Sequence, residues 1–176
     1  MASKFHNLLR EQIANEFGAM QQYVAIAVWA DASDLPQIAS HFYAHSLGER
    51  NHAMMMVQYL LDRGETFEVG AIEAPRNAFE SPLDAYKAAQ AHEVKVTGQI
   101  EALFHAAREE NDPLGEQFML WFLREQVEEV ANMDTMVTIA ERAGDNWFDV
   151  ERHLAREGGG ASSNTGTPPA AAGGAI

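Results

Sequence analysis

Four glutamates are the residues of this sequence with the clearest chemical meaning, because each lies in the apolar stripe of a long predicted helix. Inward residues of a helical bundle recur at alternating steps of three and four, and that register contains Glu16, Glu49, Glu93 and Glu129. Each acid lies near the middle of its helix, where its side chain cannot easily reach water. Because an unpaired buried carboxylate costs several kcal/mol and no Lys or Arg is in phase nearby, the pattern predicts a bound metal cation.

His52 adds a nitrogen ligand to this set. It follows Glu49 by three residues, so both side chains lie on one helix face and can reach the same ion. A Glu-x-x-His pair by itself is a weak signal, and it gains specificity from the acids on the other helices. Carboxylates with an imidazole suit iron or manganese better than copper, and the absence of cysteine excludes thiolate ligands and disulfides. His45, one turn before Glu49, is expected to support a ligand rather than to bind the metal.

The acids also lie at matching depths within each pair of neighbouring helices. Ser33 marks the first predicted turn, and Glu16 and Glu49 lie almost equally far before and after it. Glu93 and Glu129 flank the second predicted turn in the same way. The two distances within a pair differ by about one or two positions, which amounts to about 1.5–3 Å along a helix axis. We therefore expect the two acids of each pair to face each other, although the counting does not fix the relative height of the pairs.

Four long segments with helical periodicity must position these acids. We predict helices over residues 4–31, 36–63, 82–110 and 114–143. Short turns join the first helix to the second and the third to the fourth. Residues 64–81 form a connection that can span the bundle at roughly 3.3 Å per residue. Two hairpins joined by a long crossover between helices two and three define an all-α, ferritin-like four-helix bundle.

A short C-terminal fifth helix is predicted over residues 146–156, with an apolar face that includes Trp147. We expect residues 1–157 to form one domain. Residues 158–176 consist mainly of Gly, Ala, Ser, Thr and Pro, a composition that predicts a disordered tail. Such a tail could also carry a docking peptide for a partner.

Charge and composition narrow the class of protein. Acidic residues outnumber basic ones by 26 to 12, which gives a formal net charge of −14. Such a surface repels nucleic acid and anionic membranes and attracts cations, although it also favours solubility. The N-terminus lacks the apolar segment of a secretory signal, and no stretch of about 18 apolar residues could span a membrane. We therefore expect a cytoplasmic protein that binds neither nucleic acid nor membrane.

Four sequence blocks resemble the bacterial non-haem ferritins: residues 15–23, residues 49–53, Glu93 and residues 125–129. The resemblance covers roughly residues 5–156, and the blocks are highly specific in combination. It implies a hollow homo-oligomeric cage of 24 subunits that stores a ferric oxyhydroxide mineral. It also implies ferroxidase activity, in which dioxygen or peroxide oxidises Fe(II) at a di-iron centre, and a reductase partner for iron release.

The same resemblance assigns metal ligands position by position. Glu16, Glu49 and His52 resemble the ligands of the first iron. Glu49 would bridge to a second iron, which Glu93 and Glu129 would also bind. The fourth helix has no second Glu-x-x-His, so the two iron positions are expected to be unequal.

Further residues complete the site that the resemblance implies. Gln126 resembles a glutamine beside the second iron, which acts through water or oxygen. Glu125 and Glu128 resemble ligands of a third iron site, but Gly48 stands where that site usually has a glutamate, which favours a weakened third site. Tyr23 resembles a tyrosine that donates an electron during oxygen reduction. The alternative for Tyr23 is a core tyrosine that is hydrogen-bonded to a carboxylate.

Haem is not expected. The haem-binding bacterioferritins resemble this chain but have a methionine directly after the glutamate of the second helix, where this chain has Arg50. Two rival functions stay open: a di-iron oxidase or peroxidase of the rubrerythrin type, and a DNA-protecting mini-ferritin. The first would favour a second histidine or an electron-transfer module. The second would place its iron ligands at a dimer interface.

Overall fold

The computed structural model of the chain describes residues 3–157 and 166–176. These residues form helices and no strand: α1 (Lys4–Ala32), α2 (Pro36–Asp62), α3 (Pro82–Glu109), α4 (Pro113–Ala143) and α5 (Trp147–Glu157). Every predicted helix end agrees with the structure to within one residue, so the all-α bundle with a short fifth helix is confirmed. Within the described residues, no helix is both long enough and apolar enough to cross a membrane.

The two tight turns depend on residues that tolerate a left-handed backbone. Asp34 (φ 57°) lies between α1 and α2, and Asn111 (φ 56°) lies between α3 and α4. Asp and Asn adopt this conformation more readily than other residues with a Cβ atom. Directly after the second turn, the Asp112 side chain accepts a hydrogen bond from the Gly115 N–H and caps α4. Local sequence therefore fixes both hairpins.

The start of α2 is capped from a distant element. Leu35 offers no side-chain cap. Instead, the buried carboxylate of Glu151 on α5 accepts hydrogen bonds from the backbone N–H groups of Gln37 (2.9 Å) and Ile38 (2.8 Å). A carboxylate in this position is also favoured by the helix dipole. Glu151 therefore ties the short fifth helix to the start of α2.

The crossover between α2 and α3 lies along α1. It contacts that helix at three levels, through the pairs Arg10–Thr66, Gln22–Arg76 and Trp29–Phe79. At about 1.5 Å per residue, the helix from Arg10 to Trp29 extends roughly 28 Å. The crossover therefore carries the chain along most of the bundle, and the second hairpin starts at the end where α1 finishes.

The core consists of two hydrophobic clusters at opposite ends of the bundle, and each of the four long helices contributes to both. The first cluster contains Tyr23, Phe42 and Tyr86 together with Val150 and Leu154 of α5. The second contains Phe5, Leu9, Met56, Leu103 and Phe122. Between the clusters lies a layer of buried polar side chains: Glu16, Glu49, His52, Glu93 and Gln126.

Residues 166–176 lie against the outer face of α2. Three hydrogen bonds of 2.9 Å hold them there, donated by Ala172 N to Met54 O, by Arg50 Nη1 to Gly174 O and by Asn51 Nδ2 to Ile176 O. The composition of residues 158–176 predicts disorder. Residues 158–165 lie outside the described residues, and the placement of the remaining part against α2 differs from that expectation.

Glu151→Ala should destabilise the fold by about 1–2 kcal/mol, because two backbone donors at the start of α2 lose their acceptor. For a chain of this length, such a loss lowers Tm by about 2–8 °C. Scanning calorimetry of the purified protein measures the change. Glu157→Ala removes an exposed acid from the same helix and should leave Tm unchanged; equal Tm values for the two variants would contradict the capping role.

Candidate metal centre

Glu16, Glu49 and His52 come together in the buried polar layer, and we call them the metal triad. One ligand atom from each lies within 4.8 Å of the others, and no other such group occurs among the residues that the structure describes. His52 Nδ1 lies 3.2 Å from Glu49 Oε2 and 3.9 Å from Glu16 Oε2. Ligands bound to one ion at about 2.0–2.2 Å lie roughly 3–4 Å apart. The triad therefore has the spacing that a single metal ion requires.

One oxygen of the triad lies too far from His52 Nδ1, at 3.9 Å, to form a hydrogen bond with it. Glu16 Oε1 accepts a hydrogen bond of 2.8 Å from Gln12 Nε2, one turn earlier on α1. Glu16 Oε2 is buried and forms no hydrogen bond with the described residues. A buried acceptor left in this state costs about 1–3 kcal/mol, and more when it is charged. A cation beside Glu16 Oε2 would remove that cost, so the donor set of the triad fits a metal.

Glu93 lies on the other side of the layer, held by two neighbours. The Tyr23 hydroxyl donates a hydrogen bond to Glu93 Oε1. The Gln126 amide donates to Glu93 Oε2 at 3.2 Å, and the same amide lies within hydrogen-bond distance of the Glu93 carbonyl and of Thr97. The structure therefore brings Tyr23, Glu93 and Gln126 together beside the triad.

Glu129 is oriented differently from the other three helix acids. Its Oε2 atom lies 3.3 Å from His45 Nδ1, on the side of the layer that faces α2. Burial, the largest single influence, raises the pKa of Glu129, but contact with the His45 imidazole and the proximity of His52 and His41 together outweigh it, so the pKa of this carboxyl is lowered. In the structure, Glu129 is therefore paired with His45 and does not belong to the triad.

The charges of the layer oppose ionisation of the triad acids. Burial, followed by the charge of Glu49, raises the pKa of Glu16 well above its usual value. Burial, followed by the charge of Glu93, does the same to the pKa of Glu49. Without a cation, protons are the species that neutralise these carboxylates. Metal binding and proton release are therefore coupled at this site.

Glu125 and Glu128 line a cavity of ≈ 470 Å³ between α2, α4 and α5. Gly48 and Glu129 line the same cavity, so the structure groups the residues of the expected third site together and apart from the triad. An added Cβ at Gly48 would meet no atom within 4 Å. The absent side chain therefore leaves open space at this position.

Three residues that support the site were not predicted from the sequence. Gln12 and Thr97 lie one turn from Glu16 and Glu93 on the same helix faces, and they contact the Glu16 carboxylate and the Gln126 amide. His41 lies one turn before His45, with the two ring centroids 4.5 Å apart. The spacing of four residues from a core-phase acid or histidine is the signal that would have identified them.

Glu16→Gln should stabilise the metal-free protein at neutral pH. Because the pKa of Glu16 is raised in the folded state, the folded chain holds a proton that the unfolded chain releases above about pH 4.5, and stability falls as pH rises. The glutamine removes this loss, so Tm of the variant should exceed that of the wild type near pH 7 and match it near pH 4. Melting curves in the presence of a chelator give the comparison, with Glu11→Gln on the exposed face of α1 as control. A gain that is the same at both pH values would contradict this account.

Comparisons with known proteins point to one family. A family model described as a ferritin-like domain matches residues 6–143. Ferritin BfrB of Mycolicibacterium smegmatis is 56% identical over 174 residues, which cover 99% of this chain and 96% of that protein. Ferritin BfrB of Mycobacterium tuberculosis is 53% identical over 171 residues, with 97% and 94% covered. A bacterial non-heme ferritin of Staphylococcus aureus is 33% identical over 138 residues, with 78% and 83% covered.

Solved structures show the same likeness. An open-pore ferritin from the archaeon Archaeoglobus fulgidus superimposes with a TM-score of 0.84 at 28% sequence identity, over 88% of this chain and 98% of that chain. The resemblance first drawn from four sequence blocks is thereby confirmed over nearly the whole helical region. The chain belongs to the ferritin family.

Proposed function

We propose that this chain is an iron-storage subunit with ferroxidase activity, whose substrates are Fe(II) and dioxygen. The observation that carries the proposal is the metal triad, three buried ligands at metal spacing with one carboxylate oxygen that forms no hydrogen bond with the described residues. The triad lies between two apolar clusters, which limit the access of water. The ferritins among its relatives support the assignment.

Glu16, Glu49 and His52 bind the first Fe(II) in this proposal. The two carboxylates supply negative charge, and the imidazole supplies a neutral nitrogen, a combination that suits iron. Binding requires both acids to lose their protons, because a carboxylic acid is a poor ligand. Fe(II) held in this way can pass one electron to dioxygen, and the protein contributes the fixed positions of the ligands and the low dielectric around them.

Glu49, Glu93 and Glu129 bind the second Fe(II), with Glu49 shared between the two ions. Glu93 is already held beside the triad by Tyr23 and Gln126. Glu129 contacts His45 in the structure and joins them by a change of side-chain rotamer. The fourth helix also lacks a second Glu-x-x-His, which makes the two iron positions unequal.

Tyr23 is proposed to donate an electron during oxygen reduction. Its hydroxyl is hydrogen-bonded to Glu93 Oε1, so the phenol proton has an acceptor at the moment when the ring loses an electron. Burial raises the pKa of Tyr23 well above its usual value, so this proton stays on the phenol at neutral pH. Gln126 acts beside the second iron, through its amide or through a bound water.

Glu125 and Glu128 form a third, weaker iron site in this proposal. They line the cavity between α2, α4 and α5, together with Glu129 of the second iron position. Gly48 supplies no further carboxylate there, and a cation held by fewer carboxylates binds less tightly. The third site therefore serves passage rather than stable binding.

Storage requires a closed assembly, and we propose a homo-oligomeric cage of 24 subunits. Exposed apolar side chains such as Val28, Leu47 and Phe148 would remain in water in a single subunit, and such surfaces are typical of interfaces. The net charge of −14 attracts cations. We propose residues 1–157 as the assembling domain and residues 158–176 as a tail, which could dock a partner.

The remaining parts of the proposal concern partners and location. We propose that no haem is bound, because Arg50 stands where the haem-binding relatives have methionine, and its guanidinium contacts the C-terminal segment at the Gly174 carbonyl. We further propose a cytoplasmic location, a reductase that releases the iron, and no partnership with nucleic acid or membranes.

Loading the purified protein with Fe(II) in air should produce a very large particle that carries far more iron than two ions per chain. Size-exclusion chromatography with an iron assay on each fraction gives the result, and an absorption spectrum before loading reports on haem. A monomer or dimer that holds two metals per chain would instead indicate a di-iron oxidase without storage.

Replacing two triad residues, Glu49→Ala with His52→Ala, should slow the initial rate of Fe(II) oxidation on the order of tenfold or more, since loss of supporting residues alone costs a metal site 10- to 100-fold. The rate is followed by the absorbance of Fe(III) after mixing with aerated buffer. Asp62→Ala removes an exposed carboxylate from the same helix and serves as the matched control. An unchanged initial rate in the double variant would refute the assignment of the triad.

A further inference from the structure

His41 and His45 form a histidine pair on the face of α2 that lines the cavity between α2, α4 and α5. They are one helical turn apart, and their ring centroids are separated by 4.5 Å. Two imidazoles at this spacing on one helix are a common way to bind a single divalent cation. Neither histidine belongs to the metal triad.

Glu129 of α4 lies beside the histidine pair. Its Oε2 atom lies 3.3 Å from His45 Nδ1. Two ligands bound at about 2.1 Å to one tetrahedral ion lie about 3.4 Å apart, so a cation could occupy the place between them with little movement of either side chain. Two histidines, one glutamate and a water are a frequent ligand set for zinc.

One ligand atom of this group lacks a hydrogen-bond partner among the described residues. His41 Nε2 is buried and forms no hydrogen bond with them, whereas the buried Glu129 Oε2 lies against the His45 imidazole. Burial, followed by the nearby His45, lowers the pKa of His41 to about 3. The His41 imidazole is therefore neutral at physiological pH and keeps the lone pair that a metal requires.

The cavity gives a cation access to this group. Gly48 lies one turn beyond His45 and leaves open space where a side chain would otherwise project. His153 and Glu157 line the same cavity from α5. A hydrated ion can therefore approach the histidine pair without crossing the apolar clusters.

We propose that His41, His45 and Glu129 form a second cation site, for a divalent ion of borderline softness such as Zn²⁺ or Fe²⁺. The three ligands are less tightly grouped than the triad, so the His41 ring turns toward the other two as the ion binds. One consequence rests on the proposed function. Glu129 is a ligand of both the second iron position and this cation site, so an ion bound to the histidine pair prevents Glu129 from binding the second iron. Zn²⁺ at this site would then slow oxidation without entering the triad.

Zn²⁺ titration of the purified full-length protein tests the proposal. The double variant His41→Ala with His45→Ala should bind one Zn²⁺ fewer per chain than the wild type, or should bind that Zn²⁺ at least tenfold more weakly. His45→Gln, which keeps a polar side chain beside Glu129, should show the same loss. His153→Ala changes a histidine that lines the cavity outside the pair and should bind Zn²⁺ as the wild type does. Unchanged Zn²⁺ binding in the double variant would refute the site.

Anomalous diffraction from Zn²⁺-soaked crystals of the wild-type protein decides the matter if the double variant does not fold. The expected peak lies among His41, His45 and Glu129. A peak confined to Glu125 and Glu128 would overturn the proposal. The variant Glu16→Ala tests the proposed ferroxidase function separately from the histidine site. It should abolish rapid Fe(II) oxidation and leave this Zn²⁺ peak in place. If Glu16→Ala oxidises Fe(II) at the wild-type rate, the proposed function fails while the histidine site stands.

Discussion

The burial of Glu16 beside Glu49 is the constraint on which the rest of this structure depends. Two like charges 4 Å apart repel by about 4 kcal/mol at an effective dielectric of about 20, and the cost of desolvation is added to this. His52 is the imidazole that contacts both carboxylates, and one imidazole cannot balance two carboxylates. The fold therefore maintains an arrangement that is unfavourable by itself and becomes favourable when a cation is supplied.

The architecture follows from the need to keep these acids in the middle of a long bundle. Helices of 27 to 31 residues leave room for an apolar cluster on each side of the polar layer, and those clusters provide the stability that the layer does not. The tight turns at Asp34 and Asn111 set the depth of each acid relative to its partner. The crossover along α1 then brings the second hairpin to the same level, so that Glu93 lies beside the triad.

The sequence predicted the elements well because the signals were local: helical periodicity, capping residues and two turns with Asp or Asn. It also predicted which acids face the core, since core phase depends only on position along a helix. The orientation of Glu129 toward His45 could not be predicted from the sequence. Position along α4 determines which face of the helix Glu129 lies on but not its side-chain rotamer, and the rotamer depends on a residue of α2. The capping of α2 by Glu151 was missed for a similar reason, since its donors and acceptor are far apart in the chain.

The division of the core into two clusters has a consequence for how the bundle opens. Each long helix is anchored at both ends by apolar packing, whereas its middle passes through the layer in which the acids repel one another. In ordinary bundles the ends fray and the middle is the last part to exchange its amide hydrogens with solvent. Here the polar layer adds little apolar packing at the centre, so we expect the amide hydrogens in the middle of the helices to exchange earlier than in such bundles, and a cation bound by the triad to slow their exchange.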